Sequence, residues 1–191
     1  MFTYGLGATL TALSPALLYE EIEYLKSSSI NTFELNSTIF NTDYDRKIRQ
    51  AFKEMLDESG KKAISYHIPF TKLDDLSCPE ESIRQKALSR FRALLEEASF
   101  FKSKYLILHP SSEPIDQTKR DLHIEQLRKS MQEIEKEVED AGMQVALEFL
   151  PRLCLGNKLA DMEKIIDGFS STFGICLDVN HLMDDYKIIP E

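Results

Sequence analysis

The feature that most constrains the fold of this chain is a repeating alternation of short apolar runs with long amphipathic stretches. The apolar runs are Tyr4–Leu10, Asn31–Asn36, Ala63–Ile68, Tyr105–His109, Gln144–Phe149 and Gly174–Val179. Several are apolar at consecutive positions, which is typical of strands that are covered on both faces. They recur at roughly the 30-residue spacing of a β/α unit.

Between these runs, four stretches carry apolar side chains at helical spacing. The first begins at Ser14-Pro15, an N-cap followed by a first-turn proline, and the others cover 81–103, 121–141 and 158–169. Strands that alternate with helices predict right-handed crossovers and a parallel sheet. No long linker interrupts the pattern, so residues 1–191 are predicted to form a single domain.

Two α/β architectures contain such units, the doubly wound sheet and the TIM barrel. A doubly wound sheet would carry a glycine-rich phosphate loop after its first strand. Gly5 and Gly7 instead lie within the first run, and no third glycine follows at the required offset. A barrel places polar functional residues at the carboxyl ends of several strands, which is the arrangement found here.

Side chains suited to metal binding close most of the predicted strands. They are Glu34, Asn36, His67, His109, Glu148, Asp178 and His181. In a barrel the strand ends converge on one cavity, so these residues are expected to face one another. Imidazole and carboxylate groups together suit a divalent ion such as manganese, cobalt, zinc or magnesium. The fourth histidine, His123, is expected to be an exposed residue near the start of a helix.

Three segments resemble the xylose isomerase-like superfamily of TIM barrels, which includes sugar isomerases and epimerases and the endonuclease IV branch. Val145–Arg152 looks like the fifth-strand segment whose glutamate binds metal, and Gly174–His181 looks like the Asp-x-x-His segment of strand six. Leu106–Pro110 resembles the fourth-strand segment that supplies a metal-binding histidine in the endonuclease IV branch, and His67 occupies the comparable place in strand three. The resemblance implies a (β/α)8-type barrel of which this chain contains only the first six units. The histidine of strand seven and the glutamate of strand eight, which usually complete the metal site, have no counterpart.

The resemblance implies metal-dependent isomerisation or epimerisation of a small sugar, polyol or keto compound through an enediolate. The expected metal ligands are Glu148, Asp178, His181 and His109. The expected catalytic residues are Glu148, His181 and His109, with Glu148 as the nearer base. The expected substrate-binding residues are Arg152, His67, Glu34 and Asn36. Because the site lacks two strands, this chain alone is expected to be weakly active or inactive.

Several alternatives stay open at this point. Glu148 could pair with Arg152, Asp178 could cap the segment that follows it, and His67 could satisfy a backbone carbonyl. At the level of function, an endonuclease IV-like phosphodiesterase acting at abasic sites is one alternative. A non-catalytic partial barrel is another, and its two open sheet edges would favour a homodimer.

Composition narrows the partners and the compartment. The net charge of -9 argues against a nucleic-acid surface, and the family resemblance implies a small sugar-like substrate as the partner. No run approaches the roughly 18 apolar residues of a membrane span, and the N-terminus lacks the pattern of a secretory signal. Three widely spaced cysteines, Cys78, Cys154 and Cys176, are expected to be reduced thiols of a cytoplasmic protein.

Overall fold

The computed structural model describes residues 5–9, 17–36 and 43–182, which form a six-stranded parallel sheet with helices packed on its outer face. The strands are β1 (Gly5–Ala8), β2 (Thr32–Asn36), β3 (Lys62–His67), β4 (Tyr105–Leu108), β5 (Gln144–Glu148) and β6 (Phe173–Cys176). The α-helices are α1 (Leu18–Ser27), α2 (Asp43–Ser59), α3 (Glu81–Phe100), α4 (Arg120–Asp140) and α5 (Leu159–Ile166). Short 3-10 helices cover Gln117–Lys119 and Val179–Leu182.

The strands lie in sheet order β1-β2-β3-β4-β5-β6, so that each one pairs with its neighbour in sequence. All five pairings are parallel. Within the described ranges β1 and β6 do not pair with each other, and the sheet stays open. The prediction of an α/β fold with six β/α units of an incomplete barrel is therefore confirmed.

The core lies between the outer face of the sheet and the helices, because alternate strand side chains point in that direction. Phe33 of β2 and Leu106 of β4 have no exposed surface. Phe52 of α2 meets the Phe33 ring edge-on at 5.4 Å and lies 6.2 Å from the Phe101 ring after α3. Such edge-to-face contacts add to the apolar area that these rings bury.

Helix α2 is an element that the sequence analysis did not identify. It buries Ile48, Phe52, Met55 and Leu56, which are spaced like one face of a helix. Many charged residues lie between these positions, so the apolar face is harder to recognise in the sequence than in the other helices. The predicted N-cap at Ser14-Pro15 lies outside the described residues.

The prediction that His123 is exposed is wrong, since the side chain is buried in the first turn of α4. Its Nδ1 lies 3.0 Å from the hydroxyl of Ser77, in the loop before α3. His123 precedes Leu127 and Met131 by four and eight residues and therefore belongs to the same buried stripe.

Parallel pairing places the carboxyl ends of all six strands at one edge of the sheet. The inner face below this edge borders a cavity of about 570 Å³, lined in part by Glu34, Ser65 and Tyr105. In the part of the chain that is described, no helix has the length and apolar character needed to cross a membrane.

Candidate metal centre

Five of the residues singled out in the sequence meet at the carboxyl edge of the sheet. His67 is the last residue of β3, His109 directly follows β4, and Glu148 is the last residue of β5. Asp178 and His181 lie after β6, where the chain enters a 3-10 helix. Glu148 occupies the centre of this arrangement and is only 5% exposed.

The first ligand group combines His67, His109 and Glu148. Nε2 of His67 lies 3.3 Å from Oε2 of Glu148, and Nε2 of His109 lies 2.9 Å from the same oxygen. In a tetrahedral zinc site with bonds of about 2.0–2.1 Å, neighbouring ligand atoms lie about 3.3 Å apart. Both distances to Oε2 are close to this value, and all three ligand atoms lie within 4.8 Å of one another, so the group is a candidate site for a single divalent ion.

Contacts outside the ligand atoms orient both imidazoles. Nδ1 of His67 lies 3.0 Å from the carbonyl oxygen of Ile68 and donates a proton to it, which directs Nε2 towards Glu148. The ring of Phe70 stacks on His109, with centroids 4.2 Å apart and planes 10° apart. The alternative interpretation of His67 was that it satisfies a backbone carbonyl. It does so through Nδ1, and Nε2 stays available to bind an ion.

The second ligand group combines Glu148, Asp178 and His181. Nδ1 of His181 lies 3.1 Å from Oε1 of Glu148 and 3.1 Å from the carbonyl oxygen of Phe149. Its Nε2 lies 3.7 Å from Oδ2 of Asp178. A proton on Nδ1 satisfies the two oxygen acceptors on that side and leaves Nε2 as the ligand atom next to Asp178.

The electrostatic environment keeps Glu148 ionised. Burial by itself would raise the pKa of this carboxyl, but hydrogen bonds from His109 and His67 outweigh burial and lower the pKa to about 2. Burial likewise lowers the pKa of His67, and the hydrogen bond to Glu148 reverses this, so the net pKa is raised. Without an ion, the imidazolium form of His67 donates to both Ile68 and Glu148.

An open cavity of about 510 Å³ lies beside the five residues and is bordered by His109 and His181. Its opposite wall comes from the loops that follow β3, β4 and β5. Lys72, Glu113 and Arg152 are the charged side chains of that wall. The cavity thus joins the candidate ligands to a polar rim with room for a small substrate.

The remaining predicted residues lie outside the two ligand groups. Glu34 accepts a hydrogen bond from the Ser65 hydroxyl at 2.8 Å on the inner face of the sheet. Asn36 donates to the hydroxyl of Thr9 at 2.8 Å. Arg152 lines the cavity and pairs with Glu113 rather than with Glu148.

The structure adds two residues that sequence reasoning missed, Phe70 and Glu113. Phe70 follows His67 by three residues and Glu113 follows His109 by four, and this spacing was the one signal in the sequence that could have found them.

All three cysteines are free thiols. Burial raises the pKa of Cys154 and of Cys176 to about 11, so neither thiol is a candidate nucleophile.

Comparison with known proteins gives both a family and a set of similar folds. A family model described as xylose isomerase-like TIM barrel matches residues 22–189. A curated relative, a probable endonuclease 4 from Natranaerobius thermophilus, is 29% identical over 141 residues, which cover 71% of this chain and 47% of that protein.

Several of the similar solved structures are sugar epimerases or resemble them. A D-tagatose 3-epimerase-like protein superimposes with a TM-score of 0.73 at 20% identity, over 92% of this chain and 65% of that one. A D-psicose 3-epimerase from Clostridium cellulolyticum H10 gives 0.73 at 19% identity, over 96% and 66%. At these identities the superpositions establish the fold. The chain spans about half the length of the curated relative and about two thirds of these epimerases.

Proposed function

Because the chain belongs to the xylose isomerase-like TIM barrel family and gathers two ligand groups around one carboxylate, we propose that it binds divalent ions there and hydrolyses a phosphate ester. The observation that carries the proposal is the division of Glu148 between the groups. Oε2 faces His67 and His109, while Oε1 faces His181. His67, His109 and Glu148 would hold one divalent ion, and Glu148, Asp178 and His181 would hold a second. Pairs of divalent ions are common in phosphatases and nucleases.

Glu148 is suited to act as a ligand, because hydrogen bonds from His109 and His67 keep its carboxylate ionised in the metal-free chain, with a pKa of about 2. A carboxylate that holds an ion is less available for the role of nearer base that the family resemblance implied. Bound divalent ions supply Lewis acidity, which lowers the pKa of water and polarises a phosphoryl or carbonyl oxygen.

The other side chains bind and orient. The carbonyl of Ile68 fixes the ring of His67, and Phe70 fixes the ring of His109. Nδ1 of His181 is held by the carbonyl of Phe149. The three histidines are therefore positioned before an ion or a substrate arrives, which reduces the cost of binding.

A second candidate function is isomerisation or epimerisation of a small sugar. The observation in its favour is the group of Glu148, Asp178 and His181 beside a cavity of about 510 Å³, a size that suits a small molecule. The net charge of -9 also disfavours a nucleic-acid substrate. With Glu148, Asp178 and His181 as ligands, His109 at the border of the cavity would be the histidine left to carry the proton transfers of this reaction. A cytoplasmic location stays a prediction from the free cysteines.

Metal binding is tested by comparing the parent chain with Glu148→Gln. We expect the parent to bind cobalt or zinc, and the substitution to weaken binding by more than about 100-fold, because both groups lose their shared ligand. At a metal concentration about 100 times the dissociation constant, binding adds about 2.7 kcal/mol to the free energy of unfolding of the parent. Cobalt absorption and thermal unfolding measure the two effects.

The matched control is Glu34→Gln, which removes a carboxylate from the same sheet outside the ligand groups. It should bind metal like the parent. Equal binding by the parent and by Glu148→Gln would refute the metal centre.

The reaction is tested with the metal-loaded chain. Cleavage of a phosphate ester or of an abasic duplex supports hydrolysis, whereas interconversion of ketohexoses, followed by NMR, supports the second candidate.

A further inference from the structure

An ion pair at the rim of the cavity places a ready-made anion site next to the candidate ligands. Nε of Arg152 donates to Oε1 of Glu113 at 2.7 Å, and a terminal nitrogen of the same guanidinium donates to Oε2. The pair joins the loop after β4 to the loop after β5. Both side chains line the cavity that His109 and His181 border.

The backbone holds the Arg152 side chain in this place. Arg152 has a φ of 53°, a left-handed conformation that costs free energy for a residue other than glycine. Its carbonyl accepts a hydrogen bond from the side chain of Asn157, and the preceding Pro151 is buried. An unfavourable conformation that neighbouring contacts maintain is a common property of residues in binding sites.

The guanidinium fork recognises phosphate with the same two-pronged geometry as carboxylate. Glu113 therefore occupies the position that an anionic group of a substrate would take. Lys72 adds a second cation to the same cavity, so the rim carries two positive side chains against the one carboxylate of Glu113. A phosphoryl dianion interacts with both cations more strongly than a single carboxylate does.

We propose that Arg152 and Lys72 form a subsite for a phosphoryl group of the substrate, and that Glu113 is an internal competitor that holds Arg152 until this group binds. The inference rests on the proposed function, since it names the class of compound that the metal centre acts on. Binding breaks no covalent bond at the subsite. It exchanges the Glu113 carboxylate for the phosphoryl oxygens and releases Glu113 to solvent.

The test uses inorganic phosphate and chelator-treated, metal-free protein, so that phosphate cannot bind to an ion. At about pH 8, where phosphate is largely dianionic, titration is followed by calorimetry and by phosphorus NMR. We expect Glu113→Gln to bind phosphate roughly fivefold to tenfold more tightly than the parent, because a like charge leaves the site. We expect Arg152→Gln to lose the binding.

The matched control is Glu137→Gln, which changes the net charge by the same amount. Glu137 pairs with Arg92 between α3 and α4, with both carboxylate oxygens 2.9 Å from Nε, and both side chains are similarly half-exposed. This variant should bind phosphate like the parent. Equal tightening by both glutamine variants, or none by Glu113→Gln, would overturn the subsite.

Competition identifies the source of the phosphoryl group. Displacement of phosphate by glycerol phosphate indicates a small phosphorylated substrate, and displacement by a short oligonucleotide indicates a nucleic-acid backbone. Either result supports the subsite, whereas failure of both competitors contradicts it. Since these titrations contain no metal, they stay interpretable if Glu148→Gln shows that the metal centre itself is absent.

Discussion

Two inner carboxylates illustrate how much the surroundings of a residue decide its chemistry. Glu34 on β2 contacts the Ser65 hydroxyl, whereas Glu148 on β5 lies among three imidazoles. Hydrogen bonds from two of these histidines outweigh burial in lowering the pKa of Glu148 to about 2. A buried carboxylate requires such partners, because an unpaired charge is costly to remove from water.

His123 leads to a prediction about pH. Burial lowers its pKa in the folded chain, while the unfolded chain keeps a value of about 6.5. As the pH falls from about 7 to 5, the unfolded state takes up a proton that the folded state resists, so the free energy of unfolding decreases. We expect His123→Gln, which can still contact Ser77, to lose less stability than the parent over this interval.

Urea unfolding at several pH values measures this difference. His67 acts in the opposite direction, because its raised pKa adds stability at low pH that is lost as the pH rises through the folded value. Parent and variant share this contribution, so the difference between them isolates His123. Parallel pH profiles for the two proteins would contradict the prediction.

Helix α2 shows how an element with a very polar sequence is held by the packing of a few buried side chains, with Phe52 at their centre. Phe52 has no exposed surface and touches the rings of Phe33 and Phe101. These contacts connect α2 to β2 on one side and to the end of α3 on the other. The helix is thereby fixed to the sheet by packing rather than by its own helix propensity.

We expect Phe52→Ala to lower the free energy of unfolding by about 3–5 kcal/mol, through lost burial and the cavity left behind. Urea denaturation measures the change. The control is Leu159→Ala at the exposed start of α5, where truncation should cost little. A loss below about 1 kcal/mol for Phe52→Ala would show that α2 does not depend on this contact.

The alternation of apolar runs and amphipathic stretches was enough to predict the parallel sheet and the convergence of five strand-end side chains at one edge of it. These features depend on periodicity, which a sequence displays directly. The pairing of Glu113 with Arg152 and the stacking of Phe70 on His109 were not predictable, because they depend on loop conformations without a repeating pattern. The burial of His123 was missed because a single polar residue on an apolar stripe resembles an exposed one.

At the scale of the whole molecule, the open sheet leaves apolar surface without a helical cover. Ile175 of β6 pairs with Leu147 and faces the same side of the sheet. Leu147 is fully buried, yet Ile175 is 44% exposed, since no helix of the described ranges covers it. Leu177 and Val179 extend this surface beyond the strand.

We expect the chain to self-associate as its concentration rises, through this surface and the unpaired strand edges. Ile175→Lys should weaken the association, because a charge would be buried in the contact. Sedimentation velocity over a range of concentrations measures the effect. The control is Leu122→Lys at an exposed position of α4, a helix that packs against α3 and α5. A parent that stays monomeric throughout would rule out the association.

The position of Glu148 in both ligand groups has a thermodynamic consequence. Two ions that share this carboxylate would also share its single negative charge, so the first to bind partly neutralises the attraction for the second. Binding would then be anticooperative, with two separated steps in a metal titration and a broad range in which one ion predominates. By reciprocity, each ion would weaken the binding of the other by the same factor, and the availability of metal would set how many ions the centre holds.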